Sequence, residues 1–136
     1  MPFALDASIV LDWALDEGHR AARVARERLT TDGAVAPSLW WFEVRNGLLV
    51  AERRGRASEG YLTAFLGRLA RFPVVIDRSP DDTVLIGLAR RHRLTVYDAA
   101  YLELAVRHAL PLATLDAALL AASRAEGVTV LGSEQA

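Results

Sequence analysis

The hydrophobic positions of the chain follow two rhythms that alternate from end to end. Brief apolar runs (Phe3-Ala4-Leu5, Ala34-Val35-Ala36, Pro73-Val74-Val75-Ile76-Asp77, Pro111-Leu112-Ala113-Thr114 and Val128-Thr129-Val130-Leu131) read as strands. Between them apolar residues recur at helical spacing, which predicts helices over 8–15, 17–29, 39–54, 58–71, 80–92, 99–109 and 117–126. Local signals agree with several of these ends. Ser38 is placed to cap one helix and Gly55 to close it, and Ser79-Pro80-Asp81-Asp82 offers a cap, a proline at the first helical position and acids in the first turn. Gly127 ends the helix that follows Asp116, and the tail beyond Leu131 is expected to fray. Strands alternating with helices make βαβ units, so the expected fold class is α/β, with a mainly parallel sheet covered on both faces. No repeat, linker or low-complexity segment interrupts the pattern, so residues 1–136 form a single domain with a core over about 3–131.

Composition narrows the chemistry more than the fold. Of 136 residues, 52% are apolar and 24% charged, enough for a packed interior. There is no cysteine, which removes disulfides, thiolate zinc sites and cysteine nucleophiles. All sixteen basic residues are arginine. The missing lysine excludes a P-loop, a Schiff-base enzyme and a lysine-assisted phospho-acceptor site, while arginine can still hold phosphates bidentately. The net charge of −1 gives no global basic field. The opening residues lack a basic leader, and no stretch approaches the roughly 20 apolar residues of a membrane helix, so a cytoplasmic protein is expected.

Four acids then stand out. Asp6, Asp98 and Asp116 each come just before a predicted helix, where each alone is explained as a cap or turn. Glu43 lies inside a helix. Its helical neighbours are Leu39, Trp40, Asn46, Gly47 and Val50, with Arg45 on the opposite side, so it is expected to face inward without a basic partner. Such a carboxylate is costly unless something compensates it. In a parallel α/β sheet the strand C-termini and following helix N-termini share one edge, which should gather Asp6 and Asp116 with Asp98 nearby. Carboxylates brought together repel unless a divalent ion sits among them, and oxygen-only ligands suit Mg²⁺ or Mn²⁺. The chemistry indicated is metal-assisted hydrolysis of a phosphodiester.

Leu5-Asp6-Ala7-Ser8, Pro37-Ser38 followed by Glu43-Val44-Arg45-Asn46, Leu94-Thr95-Val96-Tyr97-Asp98-Ala99 and Thr114-Leu115-Asp116 together resemble the PIN-domain family, and within it the VapC-type toxins of toxin–antitoxin pairs. The resemblance runs from Leu5 to about Leu131. It implies a three-layer α/β/α sandwich and Mg²⁺- or Mn²⁺-dependent endonucleolytic cleavage of RNA. Asp6, Glu43, Asp98 and Asp116 match the family's acidic set, and Ser8, Asn46 and Thr114 match polar companions of those acids. A homodimer and an inhibitory antitoxin partner are implied as well. By propensity Thr95-Val96-Tyr97 reads as a strand, but the resemblance makes it the lead into a helix, and that reading is preferred. Asp12, where many relatives are basic, and the aromatic Trp40-Trp41-Phe42 depart from the pattern.

The remaining candidates receive plainer readings. His19, His92 and His108 sit beside arginines at helix ends and are expected to be solvated or to favour the helix dipole. Asp81 and Asp82 belong to a helix start, Asp16 to the surface, and Asp12 is left open. Trp13, Trp40 and Trp41 are expected to pack in the core or an interface. Arg20-Arg23-Arg26 and Arg53-Arg54-Arg56 are equally explained as solvated faces or as contacts to RNA phosphates or an acidic antitoxin segment. Two other classes stay in view: a non-catalytic nucleic-acid or partner-binding domain whose acids are only caps, and a small phosphatase. The missing lysine, and Ser8 where a second aspartate would be wanted, weigh against the phosphatase.

Overall fold

A computed structural model describes residues 1–132. Its elements are β1 (Phe3–Leu5), α1 (Ala7–Leu15), α2 (Arg20–Asp32), β2 (Ala34–Pro37), α3 (Leu39–Arg53), α4 (Glu59–Leu69), β3 (Val74–Asp77), α5 (Asp82–His92), α6 (Val96–His108), β4 (Leu112–Ala113) and α7 (Ala117–Ala125). The four strands form one sheet in the order β3-β2-β1-β4, with every pair parallel. Ala4 pairs with Val35 on one side and Leu112 on the other, so β1, the first strand made, lies between β2 and the last strand.

Phe3, Ala4 and Leu5 are fully buried, which is why this strand is apolar without alternation. Helix α6 packs on β1, β2 and β4 and carries α5 and α7 beside it, while α1 packs between α2 and α3, and α3 against α4. The result is the expected α/β/α sandwich. Every residue from Ala99 to Ala105 is buried, marking α6 as the central helix of its layer. Its Glu103 is fully enclosed and accepts from Arg107 at 2.6 Å and from the Asp81 backbone N–H at 3.0 Å; Arg107 also reaches Asp77.

Some expectations change. The run 128–131 makes a single parallel bridge, Val130 to Leu112, instead of a strand. Thr95, Val96 and Tyr97 lead into a helix, as the resemblance implied, and not a strand: the Thr95 hydroxyl caps α6 by accepting from the Asp98 N–H at 3.1 Å, and Val96 and Tyr97 form the first turn. A cap with a free N–H three residues on outweighs β-propensity here. The cap of α5 is Asp81, which accepts from the Val84 N–H at 2.9 Å, so the helix begins two residues later than Ser79 and Pro80 suggest. Helix α2 starts at Arg20 because the chain turns through Asp16, in the left-handed region, and Gly18. Residues 133–136, where fraying was expected, lie outside the described residues.

At one point the sandwich is unusually tight. A Cβ built on Gly47 of α3 would lie 2.4 Å from Leu11 Cδ1 of α1, so any larger residue there requires the Leu11 side chain or the helix spacing to shift.

Candidate active site

The C-terminal edge of the sheet opens into a cleft of about 320 Å³ whose wall includes Asp6, Ser8, Glu43, Asn46, Asp98 and Asp116. Each acid reaches it from a different element. Asp6 ends β1, Glu43 is in the second turn of α3, Asp98 is in the first turn of α6, and Asp116 precedes α7.

Asp6 occupies the N-cap position of α1, yet its side chain makes no capping bond. Instead Oδ2 accepts from the Ser8 and Thr114 hydroxyls, each at 2.6 Å. The two hydroxyls are in turn fixed. Ser8 Oγ accepts from the Leu115 N–H at 2.9 Å, and Thr114 Oγ1 accepts from the Asp116 N–H at 3.1 Å. Thr114 is almost fully buried. Asp116 does cap its helix, accepting from the Leu119 N–H at 2.8 Å, while still lining the cleft. Asp98 is no cap, because Thr95 fills that role.

Glu43 lies at the margin of the buried stripe of α3, which runs through Trp40, Val44, Leu48 and Ala51, so it is half-buried and not fully inward. Its compensation comes from a residue the sequence reading missed. The fully buried Tyr101 hydroxyl donates to Glu43 Oε1 at 2.5 Å. Burial holds the Tyr101 phenol far above its ordinary range, so it remains a donor. Tyr101 stands three residues after Asp98 on the same helix, and that i, i+3 spacing was the available signal.

The electrostatics of the cleft are those of crowded anions. Burial raises the Asp6 carboxyl above the usual carboxylate range, Asp116 and Asp98 add to the rise, and the Ser8 and Thr114 hydroxyls oppose it. Glu43 is raised by burial and by Asp6 and Asp98, against the Tyr101 hydrogen bond. Asp98 is raised by burial and by Asp116, against the Thr95 hydroxyl. Among the described residues no arginine, histidine or amino terminus forms an ion pair with any of the four. Hard oxygen donors, mutual repulsion and no protein cation fit a divalent ion such as Mg²⁺ or Mn²⁺. A different trio, Asp12, Glu17 and His19, is the one group among the described residues whose ligating atoms all lie within 4.8 Å of one another. It is already satisfied. The buried Asp12 carboxylate takes the Gly18 and His19 N–H groups and the His19 ring, and Glu17 pairs with Arg56, so Asp12 closes the turn between α1 and α2 and stays out of the cleft.

His92 and His108 stand in the last turns of α5 and α6 and His19 is exposed, as expected, and each also meets a carboxylate. His19 meets Asp12 at 2.6 Å, His92 meets Glu126 at 2.6 Å and His108 meets Asp77 at 2.8 Å. Of the tryptophans, Trp40 is buried and Trp13 donates to the Ala22 carbonyl at 2.8 Å. Trp41 remains exposed, with Arg45 stacked 3.7 Å from its ring centre.

The PIN domain family profile matches residues 3–125. The chain belongs to the PIN-domain family. Among solved structures this PIN domain is similar to PAE2754 from Pyrobaculum aerophilum, at 27% identity and a TM-score of 0.68, over 96% of this chain and 83% of that one. It also shares its fold with a toxin–antitoxin complex from Klebsiella pneumoniae, at 22% identity and TM-score 0.55, over 81% of this chain and 82% of that one. A third is Mycobacterium tuberculosis VapC20, described as a sarcin–ricin loop cleaving toxin, at 12% identity and TM-score 0.56, over 88% of this chain and 94% of that one. No curated protein matches the chain.

Proposed function

We infer that the protein is a Mg²⁺- or Mn²⁺-dependent endoribonuclease, the toxin of a toxin–antitoxin pair, and that Asp6, Glu43, Asp98 and Asp116 are its catalytic, metal-holding residues. The observation that carries this reading is the cleft itself: four carboxylates brought together from four parts of the fold, with no ion-pair partner among the described residues, and Asp6, Glu43 and Asp98 pushed up by burial and by neighbouring acids. Membership of the PIN-domain family supports nuclease chemistry. Two proteins of the same fold, one in a toxin–antitoxin complex and the other described as a sarcin–ricin loop cleaving toxin, support the biological role.

A bound divalent ion supplies positive charge where the phosphodiester develops negative charge. The chain's own residues do the rest. Ser8 and Thr114 favour the ionised form of Asp6 and direct it, leaving Oδ1 without a protein donor among the described residues. Tyr101 holds Glu43 through one oxygen and leaves the other free. The Leu119 N–H fixes Asp116. Asn46, exposed on the cleft wall, is placed to hydrogen-bond the phosphate or its neighbours.

The partners in this reading are RNA, a cognate antitoxin and a second copy of the chain. Exposed Trp41, Phe42, Val96 and Tyr97, at the starts of α3 and α6, supply apolar surface suited to self-association. No helix among the described residues is long and apolar enough to cross a membrane, and the cytoplasm is the compartment where such a substrate is met. The deciding experiment incubates purified protein with single-stranded and structured RNA in Mg²⁺, Mn²⁺ or EDTA. Cleavage should need the metal and disappear in Asp6→Asn and Asp98→Asn with the fold retained. Cutting by both variants at the wild-type rate would refute the mechanism.

A further inference from the structure

The cleft continues beyond its acids. Ser8, Leu11 and Gly47 belong to its wall and also to that of a larger adjoining furrow, about 490 Å³, between α1 and α3. The furrow has apolar walls at Leu15, Val50 and Ala51, and Arg54 and Arg56 line it together with Glu17 and His19. From Gly47 to Arg54 the rise along a helix is about 10 Å. The Arg54 guanidinium is exposed and has no partner among the described residues, while Arg56 meets Glu17 at 2.8 Å with both side chains well exposed. An exposed pair of this kind is worth little and is readily exchanged for a phosphate.

We propose that this furrow is the substrate track: a single RNA strand crosses the acids, passes Gly47, and sets backbone phosphates against Arg54 and Arg56 with its bases over the apolar walls. The inference rests on the nuclease reading of the cleft. Charge decides the occupant. Arginines at one end call for an anion, and an acidic peptide would satisfy them but would meet the uncompensated carboxylates at the other end. A phosphodiester accompanied by divalent ions suits both ends. The apolar walls favour unpaired bases, whose faces are free, over a duplex, whose base faces are already stacked. The run Arg53-Arg54-Arg56, ambiguous in sequence, thereby divides: Arg54 and Arg56 line the furrow and Arg53 does not.

The test measures binding of a fluorescent single-stranded RNA in an Asp98→Asn background across a salt series. Alongside it, Mn²⁺-dependent hydrolysis of bis(4-nitrophenyl) phosphate, too small to occupy the furrow, is followed in otherwise wild-type protein. Arg54→Ala and Arg56→Ala should each weaken RNA binding several-fold and reduce the salt slope by about 0.7 per lost contact. Arg54→Lys should restore most of the slope, and all variants should hydrolyse the small diester equally. Unchanged RNA affinity and slope in both alanine variants overturn the track, as does a loss confined to an acidic peptide. If the wild type cuts neither RNA nor the small diester while the variants still lose RNA affinity, the nuclease reading fails and the strand path stands.

Discussion

The Tyr101 hydroxyl donates to Glu43 Oε1 at 2.5 Å, joining the central helix of one layer to the helix that bears the acid in the other. Tyr101→Phe removes this donor and also the oxygen bonded by the Ala7 N–H. The fold should lose about 1–3 kcal/mol. The thermal stabilisation produced by Mn²⁺ should shrink, and more Mn²⁺ should be needed for half-maximal cleavage. In a Glu43→Gln background the same change should no longer affect either quantity. Additive effects in the double variant would show that Tyr101 acts elsewhere.

Asp6 gives a signed pH dependence. Its carboxyl is raised in the folded protein, so the fold binds more protons than the unfolded chain at pH values above the unfolded pKa of about 3.9. The contribution of Asp6 to stability is therefore fully present below that value and is lost as pH rises through the folded pKa. Without metal, Asp6→Asn should melt higher than wild type at neutral pH, with the advantage vanishing toward pH 4. Saturating Mn²⁺ should reverse the order by stabilising wild type alone. Subtracting the two melting curves cancels groups of opposite sign, such as Asp77, which Arg107 holds below the usual carboxylate range.

Gly47→Ala forces a methyl group against Leu11. Either the leucine leaves its rotamer or α1 and α3 separate, at a cost of about 1–3 kcal/mol. Separation would carry Glu43, one turn before Gly47, away from Asp6, so cleavage should fall further than stability alone explains. Leu11→Ala in the same molecule should recover activity. If it recovers stability but not activity, the helix spacing is irrelevant to the site.

Arg107→Met strands Glu103, which is fully buried and takes its strongest contacts from that guanidinium. Removing one partner of such a pair costs about 3–5 kcal/mol, and Glu103→Gln together with Arg107→Met should cost less. Chemical denaturation would measure both, and the Mn²⁺ response of the folded fraction should be unaltered.

The sheet was readable in the chain because β1 is buried on both faces and so carries no polar residue, and because turns and caps punctuate the helices. The strand expected over 128–131 is reduced to one bridge, Val130 to Leu112, beside a β4 of only two residues. Thr95-Val96-Tyr97 looked like a strand because branched and aromatic residues fit both states, and only the Thr95 cap decides between them. At the site, the edge shared by strand ends and helix starts placed Asp6, Asp98 and Asp116 beside one another without any knowledge of distances. Glu43 was harder. Its stripe was drawn half a face too far inward, since helical spacing alone does not say where Tyr101 will arrive from another layer. The same holds for Arg54 and Arg56, whose relation to the cleft depends on the furrow that α1 and α3 form between them.

The neighbours of β1 have a consequence for how the protein comes to life. The first strand must wait for the last, since Asp6 is completed by Thr114, 108 residues later. A nascent chain halted before that point holds three of its four acids and no hydroxyl from Thr114 to steady the first. On the proposed nuclease reading, expression of a chain ending after Leu110 should therefore be harmless to its host, and competence to cut RNA should arise late in synthesis, when β4 joins β1.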